Sequence, residues 1–183
     1  LDLSNFRYEK YEITLDNLPS FFEKFDNKKF DGINITIPYK ETSLQFIHEV
    51  DSDAKILGNI NCIKRTDNIL KGYNTDSYGF EMLLKNNSIS INSNRCIVLG
   101  AGGSARTVIK SLIDQGAESI TIKNKSIENA LKIKLYAEKL GGKNIEIYTK
   151  SDRRFDIAIN TTPLGMYQAV SYTHLTLPTK DSV

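Results

Sequence analysis

One stretch constrains this 183-residue chain more than any other: Arg95-Cys96-Ile97-Val98-Leu99-Gly100-Ala101-Gly102-Gly103-Ser104-Ala105-Arg106. Residues 96–99 are a short apolar run that reads as a buried parallel strand. It passes directly into Gly100-Ala101-Gly102-Gly103-Ser104-Ala105, a G-x-G-x-x-A loop. A helical pattern follows, with Ala105, Val108, Ile109, Leu112 and Ile113 apolar. Strand, glycine loop and helix in that order are the context a dinucleotide fingerprint needs. Gly100 allows the tight turn, Gly102 lets backbone approach a pyrophosphate, and Ala105 lets the helix lie close on the strand. The helix N-terminus then offers free N–H groups and a partial positive charge to a phosphate. A tight strand-to-helix turn without a ligand would use similar residues, so the rest of the chain has to decide.

Residues downstream continue the pattern. The helix ends near Gly116, and residues 119–124 form the second parallel strand. Domains of this kind that bind NAD place an acid at that strand's end, on the ribose 2′-hydroxyl. Here the residues are Asn124-Lys125-Ser126. The cation and the missing acid favour a 2′-phosphate, hence NADP, although a lysine after a strand also serves as a plain solvated residue. A helix over 129–140 and strands over 145–148 and 155–160 complete the reading.

Upstream, residues 8–14 mix aromatic and β-branched side chains and predict a strand. Leu18, Phe21, Phe22 and Phe25 recur at helical spacing with Pro19 in the first turn, an amphipathic helix whose aromatics are core. Ile33, Ile35 and Ile37 alternate with Asn34 and Thr36, a strand that Pro38 ends. Lys40 then opens a helix through Leu44, Ile47 and His48. Asn34, Thr36 and Lys40 thus gather at one strand end, where ligands bind in open parallel sheets. A cation is disfavoured in a helix first turn, so Lys40 reads equally as a solvated residue or a functional one; His48 reads as a surface or half-buried histidine. Asp51 caps a short helix to Leu57. Residues 58–63 lead into a strand that turns at Thr66-Asp67-Asn68 and returns through 70–73. Asn74-Thr75-Asp76 begins a helix, where Thr75 or Asp76 serves as N-cap or first-turn acid unless it has another role. Residues 87–94, rich in Asn and Ser, read as a linker.

Composition excludes several classes. Basic and acidic residues nearly balance, 24 against 22, and no basic stripe interleaves with aromatics, so nucleic acid is not the expected partner. No apolar run approaches the roughly 18 residues of a membrane span, and a signal-peptide pattern is missing. Cys62 and Cys96 lie in apolar strands as small buried hydrophobes, and no Cys/His spacing suits a metal. A reduced, cytoplasmic protein is expected.

Four motifs stand in order: Asn34-Ile35-Thr36-Ile37-Pro38-Tyr39-Lys40, Gly58-Asn59-Ile60-Asn61, Gly72-Tyr73-Asn74-Thr75-Asp76 and the glycine loop. With Asn160-Thr161-Thr162-Pro163-Leu164-Gly165-Met166 the combination resembles the shikimate dehydrogenase family over roughly residues 8–166. The resemblance implies an α/β protein of two domains: an N-terminal α/β substrate-binding catalytic domain (1–86), then after the linker (87–94) a Rossmann-like, doubly wound nucleotide-binding domain (95–168), the latter incomplete. It implies reduction of 3-dehydroshikimate to shikimate with NADPH, in the pathway to chorismate and the aromatic amino acids, by a monomer or homodimer. Lys40 resembles the catalytic lysine and Asp76 its carboxylate partner. Thr36 and Asn61 match substrate-binding positions, and Gly100, Ala101, Gly102, Gly103, Ser104 and Ala105 match the pyrophosphate loop. Asn124, Lys125 and Ser126 resemble the Asn-Arg-Thr that holds the 2′-phosphate.

The chain also departs from the pattern. Lys125 replaces an arginine and cannot grip phosphate in a bidentate fork, and Asn129 stands about where a second arginine often lies. These departures leave an NAD-dependent quinate/shikimate dehydrogenase as one alternative; the lack of the family's serine loop and last helix leaves a non-catalytic nucleotide-binding fragment as another. The family's first strand and its Ser-x-Ser substrate loop have no counterpart. Val170-Ser171-Tyr172-Thr173-His174-Leu175-Thr176-Leu177-Pro178-Thr179 resembles a translated sequencing adapter, which predicts a fragment cut at both ends with a non-native tail over 169–183.

Overall fold

The computed structural model describes residues 7–25, 30–149 and 154–165. The expectation for the tail from Ala169 onward lies outside these residues. The chain divides into two compact units, Leu1–Gly79 and Phe80–Val183.

In the first unit a single 3₁₀ turn, Leu15–Asn17, leads into α1 (Leu18–Lys24). Pro19 sits in the first turn, where its missing N–H costs no intrahelical bond. The helix buries Leu18 and Phe22, and Phe25 follows them into the core; Phe22 stacks on Phe46 with centroids 4.8 Å apart. A four-stranded sheet runs β1 (Gly32–Asn34), β3 (Cys62–Thr66), β4 (Ile69–Tyr73), β2 (Glu49–Val50) in spatial order. The β3–β4 hairpin closes on Asp67-Asn68, with Asp67 at φ 55°, a conformation Asp and Asn tolerate better than most residues. Between β2 and β3, α2 (Ser52–Leu57) is capped by Asp51, whose Oδ2 accepts the Asp53 N–H at 3.2 Å. Gly58 ends it at φ 66° with its N–H on Ala54 O, the left-handed helix stop that glycine favours. Leu18, Phe22, Phe25, Ala54, Ile60, Ile63 and Leu70 form the core.

Three expectations for this unit need correction. The strand over 8–14 does not form: residues 7–14 join no ladder. Tyr11 packs on rings instead, lying 5.6 Å from Phe21 and 5.4 Å from Phe30, while Tyr8 is exposed. β propensity measures fit to a packing surface rather than a backbone preference. The strand expected over 33–37 stops at Asn34, and Ile37 is 63% exposed. The backbone turns there, Tyr39 N donating to Thr36 O, because Pro38 has no N–H to continue a ladder. β1 also pairs antiparallel with β3, so the rule for parallel strand ends does not apply to Thr36 and Lys40. Finally, the helix expected from Lys40 to His48 is only a 3₁₀ turn, Thr42–Phe46. Ile47 is extended, and His48 pairs with Leu70, its N–H on Leu70 O and its Nδ1 accepting Leu70 N–H at 2.9 Å. Sheet pairing captures the segment before a helix can propagate. His48 is exposed.

The second unit is a parallel sheet, β7 (Ile145–Ile147), β6 (Ser119–Lys123), β5 (Arg95–Leu99), β8 (Ile157–Asn160). Helices α4 (Gly103–Asp114) and α5 (Ile127–Lys139) make the crossovers. α4 lays Ala105, Val108, Ile109 and Leu112 on the strands, each large side chain contributing about 1.5–3 kcal/mol by burial.

The boundary between units falls inside α3 (Asp76–Asn86), not in the polar stretch 87–94. Leu84 and Ile91 belong to the second core, Ile91 only 1% exposed. The Asn and Ser residues around Ile91 make turns that tie it down: Ser93 N donates to Gly116 O, and Asn94 O accepts from Glu118 N. Among the described residues no helix is long and apolar enough to cross a membrane.

Candidate functional site

Four elements of the first unit converge on one cluster. Lys40 follows the turn after β1, and its carbonyl is pinned by the Ile60 N–H at 2.9 Å. Asn61 precedes β3, its N–H on Tyr73 O and its carbonyl accepting Ile35 N–H. Asp76 opens α3 just after β4. Lys40 Nζ lies 2.6 Å from Asp76 Oδ2, and Asn61 Nδ2 donates to Asp76 Oδ1 at 2.7 Å. The lysine side chain is 18% exposed and the aspartate 36%, so the pair is partly desolvated yet still reached by solvent. Partial burial strengthens such a pair relative to a fully exposed one.

An ammonium in this setting can donate to a developing negative charge while the carboxylate fixes its position. Thr36, the fourth expected member, is exposed and held by its backbone in the turn; no hydrogen bond among the described residues joins its side chain to the pair. Sequence reasoning gave no role to Asn59 or Asn74, and offered Thr75 only as an N-cap candidate. Asn61 Oδ1 accepts the Thr75 N–H at 2.9 Å, and Asn74 Oδ1 accepts the Asp76 N–H at 3.0 Å. An asparagine two residues before a helix start is the readable signal, since it closes on the N–H two residues ahead.

In the second unit Gly100 sits at φ 115° with its N–H on Lys123 O. Gly102, the residue before α4, makes no side-chain cap, and a Cβ built there meets nothing within 4 Å. Backbone can therefore approach closely at Gly102, whose carbonyl accepts the Ala105 N–H at 3.0 Å as α4 begins. Ala105 is fully buried against the sheet, while Ala101, Gly103 and Ser104 are partly exposed. This cradle fits a pyrophosphate.

At the end of β6, Lys125 is exposed. Ser126 caps α5, its Oγ accepting Asn129 N–H at 3.2 Å, and Asn124 Nδ2 donates to Ser126 O at 3.0 Å. Two of the three residues expected to meet a 2′-phosphate thus also build the local turn. With one cation and no carboxylate, the set fits a phosphate ester. Among the described residues no group of His, Cys, Asp and Glu could hold a metal ion.

A parallel sheet opened by a strand, glycine turn and helix defines a Rossmann-like nucleotide-binding unit; here it follows an α/β unit that carries a lysine–carboxylate pair. The family model for the shikimate dehydrogenase substrate-binding domain matches residues 2–63, and that for shikimate/quinate 5-dehydrogenase matches residues 82–163. The chain belongs to the shikimate dehydrogenase family.

A shikimate dehydrogenase (NADP(+)) of Clostridium beijerinckii is 40% identical over 166 residues, covering 91% of this chain and 60% of the relative. The crystal structure of shikimate dehydrogenase from Aquifex aeolicus superposes with a TM-score of 0.78 at 31% identity, covering 87% of this chain and 58% of that one. That of the Thermus thermophilus enzyme, solved with NADP(H) and shikimate, gives 0.75 at 30% identity, with 87% and 58% covered. The chain therefore spans about 60% of the length of the curated relative.

Proposed function

We propose that this protein is an NADP-dependent shikimate dehydrogenase, reducing 3-dehydroshikimate to shikimate with NADPH on the route to chorismate and aromatic amino acids. The observation that carries the reading is the Lys40–Asp76 pair at 2.6 Å with Asn61 on its second oxygen. The names and ligands of the relatives support the same chemistry.

When bound, the nicotinamide would supply the hydride. Lys40 Nζ would donate to the substrate carbonyl oxygen, where negative charge develops, and deliver the proton there. Asp76 Oδ2 would hold the ammonium in line, and Asn61 and Thr36 would orient substrate hydroxyls. Gly100 to Ala105 would seat the pyrophosphate on the first turn of α4, and Lys125, with Asn124 and Ser126, would meet the 2′-phosphate.

A second reading, an NAD-dependent quinate/shikimate dehydrogenase, is favoured by Lys125 and Asn129 at positions where the family often carries arginines. The purified protein should oxidise shikimate with NADP⁺ at a kcat/KM about tenfold or more above that with NAD⁺. Lys40→Ala should lower kcat by ~10² or more with a smaller change in KM, since it acts on the transition state. Faster turnover of quinate with NAD⁺ would assign the second reading. Nucleotide binding without turnover of either acid would make the chain a binding module and end both.

A further inference from the structure

A carboxylate at the first position of a helix ordinarily turns back onto the free N–H groups of its own first turn. Asp76 does not: its two carboxylate oxygens are taken by Lys40 and Asn61, and its backbone is held by Asn74. Asn74 Oδ1 takes the Asp76 N–H at 3.0 Å.

The Asn74 amide is itself held in one orientation. Its Nδ2 donates to Asn59 Oδ1 at 2.6 Å, and Asn59 Nδ2 donates to Leu57 O at 3.2 Å. Both asparagines are buried, 9% and 1% exposed. Flipping Asn74 would set its NH₂ against the Asp76 N–H and its oxygen against Asn59 Oδ1, donor on donor and acceptor on acceptor. Buried polar groups pay heavily for such mismatches, so the relay has a single satisfied arrangement.

We propose that Asn74 is a positioning residue for Asp76, and through it for Lys40, with Asn59 locking the Asn74 amide. The proposal rests on the reading that Lys40 and Asp76 carry the dehydrogenase reaction.

The test is a set of variants assayed for shikimate oxidation with NADP⁺, together with exchange of the Asp76 backbone amide. Asn74→Ala removes the acceptor that pins the Asp76 N–H and lets the backbone carrying the carboxylate shift away from Lys40. It should lower kcat about tenfold to hundredfold with KM within about threefold, the scale of a small misplacement of a catalytic group. Asn74→Ser keeps an oxygen able to accept the N–H two residues on and should recover most of that loss. In an Asp76→Asn background Asn74→Ala should cost little further, because residues acting as a unit are non-additive. Additive losses, or an unchanged kcat in Asn74→Ala, would overturn the proposal.

Should Asn74→Ala fail to fold, Asn59→Ala serves in its place. It should lower kcat about threefold to tenfold, and no change would count against the relay. Amide exchange separates failure of the relay from failure of the catalytic reading. In a protein that turns over neither acid, the Asp76 amide should still exchange about tenfold faster in Asn74→Ala than in the parent; equal rates would overturn the proposal there.

Discussion

At the scale of the residue, the proposed cofactor preference turns on Lys125. It is the single charge among the three residues between β6 and α5. Its neighbours Asn124 and Ser126 are partly spent on the turn itself. On the proposed function, selectivity for a 2′-phosphate would fall on one flexible ammonium, a point charge rather than a fork. Lys125→Ala should weaken NADP⁺ binding about fivefold to tenfold and leave NAD⁺ binding almost unchanged, one charge-assisted contact being at stake. Fluorescence or calorimetric titration with both nucleotides checks this, and equal losses would show that Lys125 does not read the phosphate.

At the scale of the element, the strand–turn–helix unit uses its glycines for different physical reasons. Gly100 holds φ 115°, and a Cβ there would lie 2.5 Å from Thr161 Oγ1 and 3.1 Å from Thr162 Cγ2. Thr161 cannot give way freely, since its Oγ1 and N–H both bond Leu99 O at 2.8 Å. Gly102 holds φ −100° with open space where a Cβ would point. Gly100→Ala should therefore cost about 2–4 kcal/mol of stability through backbone strain and collision. Gly102→Ala should cost less than about 1 kcal/mol and instead weaken nucleotide binding. Urea unfolding of the two variants, read beside nucleotide titration, distinguishes them; equal destabilisation would show that the turn, not the ligand, requires both glycines.

At the scale of the whole molecule, the parallel sheet is tied across its first and last strands in sequence. Arg95, at the start of β5, donates through Nε and Nη2 to Asp156, just before β8, at 2.9 and 2.8 Å, and its N–H meets the same carboxylate. The Arg95 hydrogen bonds hold the Asp156 carboxyl down at about 2, against an ordinary value of 3.8. A folded pKa below the unfolded one means the stabilisation is complete above about pH 5 and fades as pH falls toward 2. The difference in urea midpoint between the parent and Asp156→Asn should be constant from pH 7 to about 5 and fall to a small fraction of that by pH 2. A gap undiminished at pH 2 would mean the tie acts through shape rather than charge.

What could be read from residues alone was what short-range physics decides. The 96–106 stretch, the hairpin at Asp67-Asn68, the Asp51 cap and the buried face of α1 each depend on neighbours within a few positions, and each stands close to where its residues predict it. Lys40 and Asp76 were singled out by their motifs, not by any property of an isolated lysine or aspartate. Their meeting across 36 residues of sequence needed β1, β3 and β4 to pair and α3 to start where it does. Tertiary structure also decided against local preference. Residues 7–14 have strand-forming side chains but join no strand, Tyr11 packing on Phe21 and Phe30 instead, and the segment after Lys40 gives up a helix to pair with Leu70. Ile91 draws an Asn- and Ser-rich stretch into a core. In each case the long-range gain, a satisfied backbone or a buried side chain, exceeds a propensity worth a fraction of a kcal/mol per residue. The orientation of Asp76 belongs to the same class, set by two buried asparagines that no periodicity could single out.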